Sequence, residues 1–294
     1  MKVRVLLALA LTLLAVRAAG AQETPHYPNG TSGLKAGTVP PPGWYYLEYN
    51  YFYHADSLRT TGGPSNFDLD AYANVHRIID VTHYKILGAD YAWNIVIPIV
   101  HSNIDIFDYG VHDSATQLAD FNAEPFVIEW HEARYDFGYV YGFFAPTGSY
   151  NSLRPALPGK GYWTNYFGAA GTYYFDNAKS WSASFLSRYE IYSKRRGTDF
   201  RLGDNFSFEW GVSKNWGKVL ETGVSGYASW QATPSQGADV TNPNELARGF
   251  AIGPEIQYFS TRYGVGFHLR HWWEFGVRDR SLGQITTFTL LIPF

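Results

Sequence analysis

Residues 163–175 read WTNYFGAAGTYYF, and after a DNAKS break residues 181–192 read WSASFLSRYEIY. Taken every second residue, the second run splits into two unlike sets. One holds Trp181, Ala183, Phe185, Ser187, Tyr189 and Ile191; the other holds Ser182, Ser184, Leu186, Arg188, Glu190 and Tyr192. A period of two places the sets on opposite faces of a strand. The first run repeats the arrangement, with Trp163, Phe167, Ala169, Gly171, Tyr173 and Phe175 on one parity. Aromatic residues stand at the ends of the apolar face and small ones in its middle. A strand crossing a bilayer has this shape, because Trp and Tyr settle at both membrane interfaces.

The same unit recurs along the chain. It is read at Gly43–Tyr53, where Tyr45, Leu47, Tyr49, Tyr51 and Tyr53 oppose Glu48 and Asn50, and at 88–100, where Tyr91, Trp93, Ile95, Ile97 and Ile99 align. It returns at 125–131, 135–145, 205–213, 219–231, 249–259 and 263–275, and in the closing QITTFTLLIPF. With 71–82 and the opening pair, these make about twelve strands. The links alternate. HYKIL, EAR, DNAKS, KNWGK and STR are short, and the intervening links are polar and run from roughly seven to more than twenty residues, against an ordinary median of about four to six. Such a rhythm gathers the long loops at one end of an up-and-down sheet. Outer-membrane barrels are built so, with short periplasmic turns, long extracellular loops and even strand numbers. A Greek-key sandwich has no cause to keep it. The sequence therefore predicts an all-β, up-and-down antiparallel transmembrane β-barrel.

Composition agrees. The 294 residues include 23 Tyr, 20 Phe and 10 Trp, one Met and no Cys. Gly is spread through the chain, favouring strands and turns. No thiolate chemistry or disulfide framework is available, and a net charge of -3 argues against a nucleic-acid partner. Lys2 and Arg4 precede an apolar run ending at Val16, and Ala19-Gly20-Ala21 offers a cleavage site. Residues 1–21 are thus expected to be a signal peptide. The Gly-, Pro- and Thr-rich residues 22–42 read as a flexible periplasmic lead-in, and 43–294 as the barrel. The segment His101–Ala123, with SATQLADF read as helical, is the expected candidate for a loop folded into the lumen. Phe288, Leu290, Ile292 and Phe294 share a face, as in terminal strands that close such barrels and are read by the barrel assembly machinery.

If the aromatic parity meets lipid, the other parity meets the lumen. On it stand the pore-lining candidates Glu48, Glu129, His131, Arg188, Glu190, Glu209, Glu221, Glu255, His268, Arg270 and Glu274. Confining charges to one parity avoids a cost of about 2–4 kcal/mol for each Arg or Lys at the bilayer midplane. Arg77 and His271 break the rule and mark an interface position or a bulge. Inward charges in a narrow barrel pair across the lumen, or form a constriction that selects what passes. No spacing of His assembles a closed metal site; the aspartates of 68–70 and 105–113 lack a full calcium loop. No motif places a nucleophile beside a base. Neither a cofactor nor an enzyme activity is expected.

Several blocks resemble the family labelled "putative meta-pathway of phenol degradation". They are the stretch from Leu34 through PPPGWY to YNYFYHADSL, then ILGADYAWNIVIPI, GYVYGFFAPTGSY, GTYYFDNAKSWSASFLSRYEI, DNFSFEWGVSKNWGK, GYASWQ and AIGPEIQY. The resemblance implies an outer-membrane, transporter-like barrel for aromatic or other hydrophobic compounds; no site residue is carried over from it. The expected partners are outer-membrane lipid and a small hydrophobic or aromatic molecule. A general polar-solute channel, a barrel-type lipid enzyme and a soluble exported binding protein are the alternatives. A polar lumen is awkward for apolar cargo, so lateral exit into lipid or aromatic lumen patches at Tyr192, Tyr227 and Trp272 are expected to reconcile the two.

Overall fold

The computed structural model describes residues 24–294 except 61, 62, 64, 65, 218, 243 and 245, so the signal-peptide expectation lies outside the described residues. The strands are β1 (Gly43–Arg59), β2 (Phe67–Ile86), β3 (Ala89–Ile106), β4 (Val111–Leu118), β5 (Phe121–His131), β6 (Tyr135–Ala145) and β7 (Thr164–Tyr174). They continue as β8 (Trp181–Tyr192), β9 (Asn205–Asn215), β10 (Leu220–Gln231), β11 (Arg248–Ser260), β12 (Val265–Arg278) and β13 (Arg280–Pro293). Every neighbouring pair is antiparallel, β13 pairs with β1, and a β2–β3 ladder closes the ring. Closure of the ring pairs the staves on both sides without water, the condition for spanning hydrocarbon.

The barrel has twelve staves. β4 is no stave of its own: it pairs with the upper half of β3, whose lower half pairs with β5. The stretch His101–Ala123 is therefore a β3–β4 hairpin turned by a short 3-10 segment at Phe107–Tyr109, then the start of β5, and not a helical loop folded inward. Alternation of Ser102, Ile104 and Ile106 against His101, Asn103 and Asp105 carries β3 that far. The last long link also shrinks. Only Asp279, in a left-handed conformation (φ 55), separates β12 from β13.

β8 keeps the two faces read from the sequence: Ser182, Ser184, Leu186, Arg188, Glu190 and Tyr192 are buried inside, and their alternates face out. β1 is the reverse of its reading. Tyr45, Leu47 and Tyr49 are buried in the interior, whereas Trp44 and Phe52 are exposed on the outer wall. Glu48 shares that outer parity, where it accepts a hydrogen bond from Asn74 at 2.9 Å. Glu48 is therefore not a lumen residue. Both faces of β1 carry aromatics, and the interior takes the tyrosines because something lies there for them to cover.

That something is the N-terminal segment. Residues 24–42 run inside the barrel, with Tyr27, Asn29 and Leu34 buried, and not as a free periplasmic lead-in. Glycine permits the approach. A Cβ on Gly37 would stand 2.3 Å from the backbone of Gly171. The segment enters at the periplasmic mouth, where Val39 meets Glu129, and rises until Lys160 Nζ reaches Thr24 Oγ1 at 3.1 Å.

Candidate functional site

An irregular segment inside a barrel brings backbone N–H groups with no ladder partner, and each must find an acceptor. A carboxyl group offers two oxygens and so has room for several donors. The inner wall supplies four in sequence. Glu190 takes the N–H of His26 at 2.9 Å and of Tyr27 at 3.2 Å, and the hydroxyl of Tyr192 at 2.8 Å. Glu209 takes Gly30 at 3.1 Å, Ser32 at 3.0 Å and Gly33 at 3.3 Å. Glu255 takes Leu34 at 3.0 Å, and Glu129 takes Val39 at 3.0 and 2.9 Å. Arg270, 3.5 Å from Glu255, donates to the Gly30 carbonyl at 2.9 Å. Glu221 binds Lys35 at 2.7 Å. The charged inner face thus grips the segment by its backbone.

The remaining predicted positions have other neighbours. His131 sits at the periplasmic mouth between Asp90 at 3.5 Å and Asp136 at 3.0 Å. His268 is half-buried on the inner parity beside Arg270. Glu274 gathers Tyr53 at 3.0 Å, Arg280 at 3.1 Å and the hydroxyl of Tyr227 on the extracellular half. Trp272, fully buried, donates to Ser225 at 2.9 Å. Arg77 faces inward and His271 outward, the latter bonded to Thr286 at 2.7 Å.

Sequence reasoning missed Glu124. Its carboxylate joins Arg77 at 2.8 Å, Arg188 at 3.3 Å, Asn94 at 2.6 Å and the Tyr166 hydroxyl at 2.9 Å. Glu124 and Glu129 have opposite parity, yet both point inward, because a bulge between Ala123 and Phe126 resets the alternation. Pro125, unable to donate to a ladder, was the available signal.

Above the segment the lumen changes character. A cavity of about 770 Å³ opens on the inner faces of β1–β3, where Leu69, Ala73, Val75, Val96, Val100 and Ile104 make an apolar wall. Arg77, Glu124, Arg188 and the Tyr27 ring also line it. β2 is thus apolar inside and polar outside, the inverse of β8. Beside this cavity one strand of the wall has an unpaired edge. β4 has a ladder only to β3, and its other side is met by side chains: Asp113 to Arg154 at 2.8 Å, Gln117 to Ser149 at 3.5 Å.

Three constellations have the residue types of chemistry. His54, Asp68 and Asp70 on the outer rim, and Glu129, His131 and Asp136 at the mouth, have spacing that a metal ion accepts. In both, the imidazole is already bonded to an aspartate, at 2.8 and 3.0 Å. His26 lies between Thr164 Oγ1 at 2.8 Å and Asp120 at 3.1 Å. Thr164 is 0% exposed, which shields its hydroxyl from a substrate carbonyl, so the trio ties the segment to the wall.

A closed ring of twelve staves, girdled by aromatics and carrying its own N-terminal segment inside, is a bacterial outer-membrane β-barrel. The chain belongs to the family described as "Putative MetA-pathway of phenol degradation", whose model matches residues 55–290. Its fold is similar to that of the COG4313 outer membrane channel from Pseudomonas putida F1, with a TM-score of 0.78 at 14% identity over 91% of this chain and 100% of that one. The translocator domain of the autotransporter NalP from Neisseria meningitidis shares the barrel more distantly, with a TM-score of 0.51 at 8% identity over 88% of this chain and 91% of that one. The beta domain of the Bordetella autotransporter BrkA gives 0.50 at 7% identity, over 86% and 99%. No curated protein matches the chain in sequence.

Proposed function

We propose that this barrel admits small hydrophobic molecules, aromatic compounds among them, from the extracellular side into the outer membrane. The observation that supports the reading is the internal cavity of about 770 Å³, one wall of which, on β2 and β3, is apolar. Its size suits a small ligand. The internal segment stands across the axial route below it. The stretch beside β4, held by Asp113–Arg154 and Gln117–Ser149 contacts in place of a ladder, offers a lateral route to lipid. An apolar solute loses nothing by leaving through it. No catalytic step is assigned.

The test is uptake of labelled alkylbenzenes by a deletion strain carrying the wild type or Val75→Asp, which puts a carboxylate into the apolar wall. The reading expects uptake restored by the wild type and lost with the variant at equal barrel level. Unchanged uptake in both would overturn it. A second reading, a channel for polar solutes, is favoured by the Glu- and Arg-lined lower lumen. It expects open-channel conductance and sugar permeation without removal of residues 24–42.

A further inference from the structure

The outer wall of β1 and β2 carries a polar patch where a barrel meets hydrocarbon. From Tyr46 to Phe52 and from Tyr72 to Ile78 the outward side chains are Tyr46, Glu48, Asn50, Tyr72, Asn74 and His76, with only Phe52 and Ile78 apolar. They form a ladder across the two strands. Tyr46 meets His76 Nδ1 at 2.6 Å, Asn74 donates to Glu48 at 2.9 Å and to Asn50 at 3.3 Å, and Tyr72 donates to Asn50 at 2.6 Å. The flanking outer walls are ordinary: Phe288, Leu290 and Ile292 on β13, and Ile95, Ile97 and Ile99 on β3.

The register fixes the depth. Trp44 lies at the periplasmic girdle, stacked on Phe294 and edge-on to Trp93. Four residues higher, Glu48 lies opposite Leu290 and His76. At about 3.3 Å per residue and a tilt near 40°, that is roughly 10 Å above the girdle, close to the middle of an apolar band about 25 Å tall. Lipid tails offer no donors or acceptors there, and headgroups do not reach it. After the ladder is made, Glu48 Oε2, Asn50 Nδ2, Asn74 Oδ1 and His76 Nε2, all on outward-facing residues, keep hydrogen-bonding capacity. A surface that covers them must itself be polar at this depth.

We infer that the outer face of β1–β2 docks a second copy of this chain. Two copies inserted in one membrane share their orientation, so a two-fold axis along the bilayer normal brings each patch against its twin at the same height. Carboxamides are self-complementary. The Asn50 NH₂ of one copy meets the Asn74 carbonyl of the other, and the second Glu48 oxygen meets a twin imidazole or amide. Any other membrane protein would have to present matching donors and acceptors at that one depth. The interface is independent of what passes through the lumen.

The absence of cysteine makes the test direct. Single variants Asn50→Cys on the patch and Ala183→Cys on the outer face of β8 are expressed in the outer membrane and oxidised with copper-phenanthroline. The inference expects a band of twice the chain mass with Asn50→Cys and none with Ala183→Cys. Equal yields, no dimer with Asn50→Cys, or a product of another mass would overturn it, the last by identifying a different partner. A triple variant, Glu48→Leu with Asn50→Leu and Asn74→Leu, keeps the barrel heat-modifiable on gels, which reports folding. It is expected to be monomeric in mild detergent where the wild type is dimeric; a wild type monomeric under all such conditions would also overturn the inference.

Discussion

Arg188 lies face-on to Tyr27, its guanidinium carbon 3.7 Å from the centre of the phenol ring. Both residues are buried, one on β8 and one on the internal segment. The contact combines a desolvated cation–π interaction, worth about 2 kcal/mol, with the burial of a large aromatic ring. Tyr27→Ala is expected to weaken docking of the segment by about 3–5 kcal/mol, the usual cost of removing a buried aromatic. Planar-bilayer recordings should then show larger and noisier currents than the wild type. Arg188→Lys, which keeps the charge and loses the flat stack, should have a smaller effect. Wild-type currents from Tyr27→Ala would show that the ring does not hold the segment.

The near-contact of Gly37 with Gly171 yields a steric test. Because a Cβ on Gly37 would sit 2.3 Å from main-chain atoms that cannot move aside, Gly37→Val is expected to displace the lower part of the segment while leaving the barrel folded. Added protease should cleave Gly37→Val near residues 35–42 and spare the wild type. Equal resistance would mean that the approach is looser than the geometry shows.

Phe185 stacks on Phe208 on the lipid side, with ring centroids 5.9 Å apart. Phe185→Arg places a guanidinium in hydrocarbon at a cost of about 2–4 kcal/mol if the site is near the midplane. Urea unfolding in lipid vesicles should register that loss. A shift below about 1 kcal/mol would put Phe185 at an interface.

Asp120, in the break between β4 and β5, is a pH-sensitive tie. Burial alone would raise its pKa, but the His26 ring and the N–H groups of Lys160 and Gly148 outweigh burial and hold the carboxyl below its ordinary range. A depressed folded pKa contributes stability above the unfolded value, about 3.9, and that contribution is lost as pH falls through the folded value. Wild-type current is therefore expected to rise only in acid below about pH 3.9, as the Asp120 carboxylate that His26 contacts is protonated. Asp120→Asn should raise the current at neutral pH and flatten the acid response. An identical acid response in both would assign the change to other carboxylates.

The ring of staves was legible because lipid imposes one rule on every strand, so β8 alone displays it from Trp181 to Tyr192. Facing was legible where the two parities differed in kind. It failed on β1, where Tyr45, Tyr49 and Tyr51 face inward and Glu48 faces outward, since alternation gives two faces without saying which is inside. The internal segment was hidden for a different reason. A Gly- and Pro-rich run looks unstructured when its partners are Glu190, Glu209 and Glu255, far away in the chain. Glu124 was lost to a bulge, which exchanges parity within a strand.

The grip on residues 24–42 also sets a schedule. Leu34 reaches Glu255 across 221 positions, Gly30 reaches Arg270 across 240 and Thr287 across 257. Those partners lie on β11, β12 and β13, among the final staves to be synthesised. A segment synthesised before every stave of the barrel is thus the part that settles last, once the ring around it exists. Until then its unpaired backbone must stay in water, which suits a stretch rich in glycine, proline and threonine.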